Sequence, residues 1–567
     1  MSRYSSSLVL VAAMLVASLV SAAGAAAQLP TTTRASVSST GAEATSGSLQ
    51  TSVSANGRLV AFYSSSPNLV PADTNGTSDV FLRDRATGVT RRLSVGPAGV
   101  QANASSFDVS MTADGRIVLF RSGATNLVAG VPAFQLYLAD TTTGEVRRAL
   151  VPPATHGNPY DPSISADGSR IVFVANRVSG GTPDVFAADV GTGAVRRISE
   201  TAAGSAGNAR SYEPDVSGDG RWVAFTTDAS NLVTPDINGF RDIILVDLQT
   251  GVLQRASVGS GSPGAESNLH SSDAALSRDG CIVAFRSDAG NLVAPDAGSS
   301  VTEIFARDRC TAQTEVVSVT NSGVAGTGFV PDVSDDGCLI VYRSRNVSPA
   351  PSGHEAAVLR DRCAGVTSRL DLSTTGEPGN NDVADVQIAA GTGRYVALSS
   401  FANNLVPGDA NTSYDAFVRD RAVNTRPVAE LTLTQEGRRI TADALASRDP
   451  DGPTVSGRIA WGDGAPDDTG LQAQHEYARG GSYSVTVTVT DADGATTTKS
   501  AVAVIPDPPI APPPPTGSGG TAPGGGTAEA PVAVPPLVLD RVSLSRRSFA
   551  PVARGGRPGG KRGATLT

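Results

Sequence analysis

One frame of hydrophobic and polar positions recurs seven times between Gln50 and Arg421. Its clearest form is Ser-x-Asp/Asn-Gly-x-x-Val-x-Phe, followed by Asn-Leu-Val and then by Asp-x-Phe-x-x-Asp. The hairpin glycines are Gly57, Gly115, Gly168, Gly220, Gly280, Gly337 and Gly393. Five positions after each glycine comes a large apolar residue, namely Phe62, Phe120, Phe173, Phe225, Phe285, Tyr342 or Leu398. A fixed apolar position in every copy indicates one supersecondary unit used seven times, which is typical of a propeller or a solenoid.

The fourth copy shows how one unit divides into strands. Residues 214–217 predict a short strand, Asp219-Gly220 a two-residue hairpin turn, and residues 221–225 the partner strand. After a longer loop, residues 242–247 and 252–258 predict a second pair of strands around the Thr250-Gly251 turn. Four antiparallel strands per unit predict a blade of a β-propeller.

The third strand of every copy carries a large residue three positions before an aspartate. Period-2 alternation places these residues on one face of the sheet, so we predict that they form the core between blades. They are Phe81, Tyr137, Phe186, Ile244, Phe305, Val358 and Phe417. The aspartates are predicted to cap the tight turns that follow. They are Asp84, Asp140, Asp189, Asp247, Asp308, Asp361 and Asp420.

The seventh copy lacks a fourth strand, because the pattern stops after Arg421. Residues 33–37 near the N-terminus resemble the fourth strands of other copies, such as residues 91–95 and 254–258. We therefore predict an all-β fold with seven blades, in which one N-terminal strand completes the last blade and closes the ring. The run Ser-x-Asp-Gly-x-x-Val-x-Phe resembles the TolB-like, WD-repeat-like propellers of secreted bacterial proteins. This resemblance covers residues 31–421 and implies the fold but not the function.

The four cysteines occupy equivalent places in two copies. Cys281 and Cys338 follow the hairpin glycine, and Cys310 and Cys363 follow the Asp-Arg that ends the third strand. Because the start of the second strand lies beside the end of the third, we predict the disulfides Cys281–Cys310 and Cys338–Cys363. The alternative is a four-thiolate zinc site, but it would need residues of two blades to converge.

Three of the long loops carry an oxygen-rich Asp-x-Asn-x-x-x-Asp frame. The frames are Asp73, Asn75, Asp79; Asp236, Asn238, Asp242; and Asp409, Asn411, Asp415. Hard oxygen ligands at alternate positions suit Ca²⁺, so these loops are candidate calcium sites. The alternative is that the side chains hold a turn through hydrogen bonds to the backbone. No other cofactor is predicted.

No catalytic constellation stands out. The four histidines, His156, His270, His354 and His475, lie in separate segments, and no Gly-x-Ser-x-Gly elbow leads into a hydrolase domain. The first three histidines can lie on the face formed by the long loops, where a ligand is expected because loops on a rigid scaffold carry binding sites. Clustering of these histidines with carboxylates at the mouth of the channel would favour an enzyme.

After Asn424 the pattern changes to Trp461-Gly462-Asp463-Gly464, His475-Glu476-Tyr477 and the alternating Val/Thr run of residues 485–490. These motifs resemble a polycystic-kidney-disease (PKD) domain over residues 426–505. The resemblance implies an immunoglobulin-like β-sandwich with Trp461 and Tyr483 in the core, His475 near a turn, and a spacer or contact role outside the cell.

The ends of the chain predict export and flexible attachment. Residues 1–27 have the basic, apolar and small-residue parts of a signal peptide, and no later segment is long enough to span a membrane. Residues 506–536 are a Pro/Gly-rich linker. Residues 537–567 are predicted to be a disordered basic tail or the start of a further module, and binding to anionic cell-wall polymer is an alternative role for them.

The distribution of charge along the chain indicates which class of partner the protein can bind. The net charge is −9, yet the last 31 residues hold seven basic side chains against one aspartate, so residues 28–536 carry about −16. An acidic body argues against nucleic acid as the partner. We predict a secreted, monomeric, non-enzymatic protein that binds extracellular protein or glycan, with residues 28–425 as the propeller. The alternatives are an exported carbohydrate- or peptide-processing enzyme and a TolB-like envelope component.

Overall fold

The computed structural model describes residues 30–178, 180–261, 264–293, 301–346, 353–422, 427–449, 455–491 and 496–507. Within them the chain is all-β, and the one short helix that the structure assigns is the 3₁₀ turn Pro97–Gly99. These residues include no helix of the length and apolarity that a bilayer crossing requires. The predicted signal peptide and basic tail lie outside the described residues, as does all of the predicted linker except residues 506–507.

Six antiparallel sheets follow one another along the chain, each with its four strands in sequence order. Sheet 1 is Ser48–Val53, Leu59–Ser64, Asp79–Asp84 and Val89–Arg92 (β2–β5), and sheet 2 is Ser106–Met111, Ile117–Ser122, Gln135–Asp140 and Val146–Arg148 (β6–β9). Sheet 3 is His156–Ile164, Arg170–Arg177, Pro183–Asp189 and Val195–Arg197 (β10–β13), and sheet 4 is Ser211–Val216, Trp222–Thr227, Asp242–Asp247 and Leu253–Arg255 (β14–β17). Sheet 5 is Ser271–Leu276, Ile282–Ser287, Glu303–Asp308 and Gln313–Val316 (β18–β21), and sheet 6 is Phe329–Val333, Leu339–Ser344, Ala356–Asp361 and Val366–Arg369 (β22–β25).

Sheet 7 joins the two ends of this region. Its first three strands are Val383–Ile388, Tyr395–Ser400 and Asp415–Asp420 (β26–β28), and its fourth is Thr31–Arg34 (β1) from the N-terminus. Thr31 lies opposite Asp420 and Arg34 opposite Phe417, antiparallel. The N-terminal strand therefore pairs with the third strand of the last sheet as predicted, although it begins and ends earlier than residues 33–37. Val37 instead forms an isolated bridge with Glu43.

The first strands lie side by side around a centre. Each first strand, from β2 through β6, β10, β14, β18 and β22 to β26, contacts the next, and β26 contacts β2. This is a propeller-like arrangement of four-stranded sheets.

The core between the sheets is the predicted one. In every sheet the large residue of the second strand lies directly opposite that of the third, as Phe62 does with Phe81 and Phe173 with Phe186. The second-strand residues are all fully buried, and the third-strand residues are at most 2% exposed. The predicted turn caps also form: Asp140 Oδ1, for example, accepts hydrogen bonds from the backbone N–H groups of Thr142 (2.8 Å) and Thr143 (3.0 Å).

The hairpin between the first and second strands needs glycine for two reasons. Gly280 has a φ of 65°, in the left-handed region, and a Cβ atom there would lie 2.6 Å from Cγ of Trp222 in the neighbouring sheet. A side chain at this position would therefore strain the backbone and push the sheets apart.

Residues 427–507 contain two further sheets. One is Thr432–Glu436, Arg439–Asp443 and Gln472–Glu476 (β29, β30 and β33). The other is Asp468–Thr469, Val455–Ala460, Gly481–Asp491 and Thr496–Ile505 (β32, β31, β34 and β35). Trp461 and Tyr477 are each 1% exposed in the core, with Tyr483 packed against them. His475 is the penultimate residue of β33, and its ring stacks on that of Trp461 with the ring centroids 4.9 Å apart.

Candidate functional site

The three oxygen-rich loops each surround an arginine. Arg92 Nη1 lies 3.0 Å from Asp79 Oδ2 and 3.4 Å from Asp73 Oδ1. The equivalent arginines, Arg34 and Arg255, stand in the same relation to Asp409 and Asp415 and to Asp236 and Asp242. All three arginine side chains are only 7% exposed. We call each of these groups an arginine cage.

Two further residues complete every cage. A serine two positions after the arginine donates to the last aspartate of the frame, as Ser94 does to Asp79 at 2.5 Å. A Glu or Gln nine or eleven positions after the arginine also contacts it, namely Gln101, Glu266 or Glu43. That side chain accepts hydrogen bonds from backbone N–H groups of the oxygen-rich loop, for example Gln101 Oε1 from Thr74 and Asn75, both at 3.1 Å.

The cages fit a guanidinium better than a calcium ion. Glu43, Asp409 and Asp415 offer oxygens within 4.8 Å of one another, but Arg34 lies 2.8, 3.2 and 3.8 Å from these three carboxylates. Burial raises the pKa of Asp79, Asp242 and Asp415, and it raises the pKa of Asp409 to about 7. An added cation would have to displace a buried arginine. Ca²⁺ binding by these loops therefore stays a prediction, and the need to displace a buried arginine argues against it.

A second set of carboxylates lies where the first strands meet. A cavity of about 290 Å³ opens among them, and a second cavity of about 110 Å³ shares Asp215, Asp332 and Gln387 with it. The acidic residues at or beside this cavity come from the first strands of six sheets, sheets 2 to 7. They are Asp108, Asp161, Glu213, Asp215, Asp273, Asp332 and Asp385. We call this region the acidic channel.

The backbone that presents these side chains bulges. The pairing of first and second strands skips residues in every sheet, for example between Tyr160 and Ser163 in sheet 3. Six residues at the bulges have left-handed φ angles between 48° and 57°, and none of them is glycine. They are Gln50, Asp108, Asp161, Glu213, Asp273 and Val330. Non-glycine residues rarely adopt this conformation, so surrounding structure must hold it.

Part of that support comes from the neighbouring sheet. Asp161 Oδ2 accepts a hydrogen bond from the backbone N–H of Glu213 (3.1 Å), and Asp215 Oδ2 accepts one from Leu276 (3.0 Å). Asp385 of sheet 7 accepts from the N–H of Thr51 in sheet 1 at 3.0 Å. The carboxylates therefore join one first strand to the next, in addition to lining the channel.

The channel is crowded with negative charge. Burial, reinforced by Glu213 and Asp108, raises the pKa of Asp161 to about 6. Burial also raises the pKa of Asp215 to about 6 and, with the charge of Asp215, that of Asp332 to about 7. Within the described residues, the arginines paired with the seven carboxylates are Arg121, 3.8 Å from Asp108, and Arg286, 3.5 Å from Asp273. The channel thus favours a positively charged ligand.

The histidines do not gather at the channel. His156 Nε2 lies 3.1 Å from Asp184 and its ring packs edge-on against Phe186. His270 Nδ1 accepts from the N–H of Arg241 at 3.1 Å, and His354 lies 3.7 Å from Asp382. His156 is in sheet 3, whereas His270 and His354 lie in the connections before β18 and β24, and none of the three lines the cavity. The arrangement that would favour an enzyme is therefore not observed among the described residues.

The two predicted disulfides are present. Cys281 pairs with Cys310 at a Cα–Cα distance of 5.5 Å, and Cys338 pairs with Cys363 at 5.3 Å. Each ties the hairpin turn to the end of the third strand. The arginines before the second cysteines, Arg309 and Arg362, also donate to the carbonyls of Gly280 and Gly337 at 2.7 Å each.

Comparison with known proteins separates the chain into the same two parts. Residues 424–505 match the PKD domain family. This region is 34% identical to the PKD1 domain of Vibrio anguillarum Epp, covering 15% of this chain and all of that one, with a TM-score of 0.14.

The rest of the chain is similar to TolB-like β-propellers. TolB from Acinetobacter baumannii is 18% identical over 51% of this chain and 58% of its own length, with a TM-score of 0.32. An oligogalacturonate lyase from Vibrio parahaemolyticus is 15% identical over 66% of this chain and 90% of its own, with a TM-score of 0.42. The chain thus spans a little over half of the TolB chain, and the likeness concerns the fold.

Sequence reasoning missed the acidic channel, although a signal was present. Five of the left-handed residues lie seven positions before a hairpin glycine and are polar or acidic, from Gln50 before Gly57 to Asp273 before Gly280. The sixth, Val330, is apolar, and in the last copy the spacing shifts by one residue to Asp385. The strand pattern alone assigns these residues to an ordinary hairpin and does not distinguish them from other strand positions.

Proposed function

We propose that the protein is an exported, non-enzymatic binding protein whose acidic channel takes a cationic segment of another protein. We infer that its seven sheets are the blades of one closed propeller and that the PKD domain acts as a spacer or second contact. The observation that carries the proposal is the cavity of about 290 Å³, which five carboxylates line and Glu213 and Asp273 adjoin, with two arginines paired to these seven acidic groups. Disulfides fit an oxidising compartment outside the cytoplasm.

Ligand chemistry follows from the electrostatics of the cavity. Carboxylates in a concave, partly desolvated wall attract lysine and arginine side chains more strongly than exposed ones do. In several of these carboxylates, such as Asp161 and Asp385, the hydrogen bond to the neighbouring strand uses only one of the two oxygens. The other oxygen is available to accept a hydrogen bond from a ligand. A neutral glycan would gain less from this charge, so a cationic peptide is the better fit.

The test measures binding of a fluorescent octalysine peptide by anisotropy, with octaglutamate and a neutral chitin oligosaccharide as comparisons. We expect saturable binding of octalysine that weakens with salt, and at least about tenfold weaker binding by the Asp161→Asn/Asp332→Asn variant. The control is Asp189→Asn, which removes a carboxylate from a tight turn away from the channel. Equal affinity of wild type and the channel variant would reject the proposal.

The enzyme alternative also has one observation in its favour. A carboxyl group with a pKa of about 7, Asp332, shares the channel with Asp215 and Asp385, and glycosidases use pairs of carboxyl groups with separated pKa values. The matching experiment incubates the protein with polysaccharides and peptides and follows the release of product. Turnover abolished by Asp332→Asn would establish this alternative in place of the binding proposal.

A TolB-like role in the cell envelope would depend on partner proteins rather than on a cationic segment as such. Pull-down from envelope fractions with wild type and with the channel variant separates the two. A partner retained equally by both would bind elsewhere on the molecule.

A further inference from the structure

Four of the seven sheet boundaries are fastened by the same group of side chains, which we call the latch. A Ser, Asn or Thr in the connection leaving one sheet bonds both the N–H and the C=O of a threonine in the next sheet's fourth strand. Ser39 accepts from the N–H of Thr90 at 2.9 Å and donates to its carbonyl at 3.2 Å. The other three pairs are Ser260 with Thr314, Asn321 with Thr367, and Thr374 with Thr32.

An arginine of the third strand completes every latch. Arg83 donates to the hydroxyl of Thr90 at 3.0 Å and to the carbonyl of Ser38, in the preceding sheet's connection, at 3.1 Å. Arg307, Arg360 and Arg419 donate to the corresponding threonines of their own sheets at 3.1, 3.1 and 3.0 Å. In each sheet the arginine lies directly opposite the threonine.

All three latch positions change together in three consecutive sheets. The arginine–threonine pair becomes Ala139–Val146 in sheet 2, Ala188–Val195 in sheet 3 and Val246–Leu253 in sheet 4. The residue in the preceding connection becomes Pro97, Pro153 and Ala202, none of which has a side chain able to hydrogen-bond. Among the described residues, no side chain bonds the backbone of Val146, Val195 or Leu253 in the way that the latch bonds its threonine.

The boundary between sheets 3 and 4 lacks the latch, and the Arg196 guanidinium donates to the carbonyl of Leu248 there. A groove of about 480 Å³ lies there, with Leu232, Val246 and Leu253 on its apolar side and Arg196 and Arg197 on its polar side. Arg197 bonds Glu200 and the carbonyl of Gly204, but its buried Nε has no partner. The edge of β17 thus offers outward backbone groups, an apolar wall and an unsatisfied guanidinium N–H together.

We propose that an extended, acidic segment of a partner protein adds to the edge of β17 in this groove. The backbone of this segment would hydrogen-bond the N–H and C=O of Leu253, as the Ser, Asn or Thr of a latch does for its threonine. This is strand addition to a sheet edge. One large apolar side chain would fill the groove, and a carboxylate would accept from Arg197. The arginines of the groove argue against a second copy as the occupant, because a symmetric contact through this edge would bring like charges together.

The test selects binders from a phage-displayed library of random twelve-residue peptides on the full chain. The matched variant carries Ala202→Ser, Val246→Arg and Leu253→Thr, which rebuilds at this boundary the latch that the chain uses at four others. We expect the selected peptides to combine acidic and large apolar residues, and to bind the latch variant at least about tenfold more weakly. The channel variant Asp161→Asn/Asp332→Asn should bind the selected peptides with the affinity of wild type. The variant Arg197→Gln should bind the acidic peptides more weakly.

Three outcomes would overturn the proposal. The first is equal enrichment of peptides on wild type and on the latch variant. The second is loss of peptide binding in the channel variant instead, which would place the peptides in the acidic channel. The third is a wild type that dimerises in solution while the latch variant is monomeric, which would make a second copy the occupant. Thermal unfolding of the latch variant near that of wild type confirms that it is folded for these comparisons.

Discussion

At the scale of single residues, a buried arginine supplies the positive charge beside each oxygen-rich loop. The Asp-x-Asn-x-x-x-Asp frame by itself resembles a set of calcium ligands, and nothing within the frame reveals its counter-charge. The decisive residues lie elsewhere in the sequence: an arginine on the fourth strand and a Glu or Gln in the next connection, as with Arg92 and Gln101. The three copies with the frame also carry these partners. Their convergence depends on the pairing of strands, which is why the frame alone could not show it.

Removing a cage arginine should be costly. Arg92→Leu leaves Asp79, whose side chain is fully buried, without its guanidinium partner. We expect the free energy of unfolding to fall by about 3–5 kcal/mol in urea denaturation, since an unpaired buried charge is strongly unfavourable. The control is Arg58→Leu, because Arg58 is 52% exposed and its pair with Asp84 should contribute under about 1 kcal/mol. Similar losses in both variants would contradict the cage.

Calcium should leave the wild-type protein unchanged. Because each cage already holds a cationic side chain, we expect millimolar Ca²⁺ to shift the melting temperature no more than the same concentration of Mg²⁺ does. Titration calorimetry provides the direct measurement. Saturable heat of binding that disappears in Asp409→Asn or Asp79→Asn would show that Ca²⁺ displaces the arginine, and the calcium hypothesis would then be correct.

At the scale of elements, the first strands differ most from what the sequence pattern indicates. Their pairing with second strands was predictable from alternation and from the Asp-Gly turns, and so was the aromatic core between sheets. The bulges were not predictable, because they arise where seven strands crowd around one centre and several carboxylates accept from a neighbouring strand's N–H, as Asp161 does from Glu213. The sequence pattern of one repeat cannot predict this contact, because the residue that donates the hydrogen bond belongs to another copy of the repeat.

The crowding of these carboxylates predicts how stability depends on pH. The folded pKa values of Asp161, Asp215 and Asp332, about 6, 6 and 7, lie above the ordinary value near 4. The folded state therefore binds more protons than the unfolded state between about pH 4 and pH 7, and the stability that these groups contribute is lost as pH rises through that window. We expect a higher melting temperature at pH 5 than at pH 8.

The variant Asp332→Asn tests the assignment to the channel. It should flatten the fall in melting temperature between pH 5 and pH 8, because its side chain cannot ionise. Asp189→Asn, at a turn where hydrogen bonds lower the aspartate's pKa, should leave the slope unchanged in this range. A slope that is the same in wild type and Asp332→Asn would show that the channel does not control it.

At the scale of the whole molecule, sheet 7 takes its fourth strand, only four residues long, from the N-terminus. The order of the repeats and the missing fourth strand were sufficient to predict that β1 would pair with β28, although not its limits. Within and just after this strand, Thr32 takes part in a latch, and Arg34 and Ser36 take part in a cage. The N-terminal segment thus belongs to a latch, a cage and a sheet at the same time.

Deleting residues 30–37 should therefore unfold the region of the seven sheets. The deletion exposes the edge of β28 and leaves Asp415 without Ser36 and Arg34, which hold it at 2.5 and 3.8 Å. Uncovering a buried carboxylate alone costs about 3–5 kcal/mol, a large share of the 5–15 kcal/mol that typically stabilises a domain. We expect the deletion variant to lose its cooperative thermal transition in circular dichroism and to be digested rapidly by protease. Deletion of residues 537–567 should change neither property.

A synthetic peptide of residues 28–40 should restore protection of the deletion variant from protease, and the same peptide with Arg34→Ala and Ser36→Ala should not. Cooperative unfolding of the N-terminal deletion without the peptide would show that β1 is dispensable for closure.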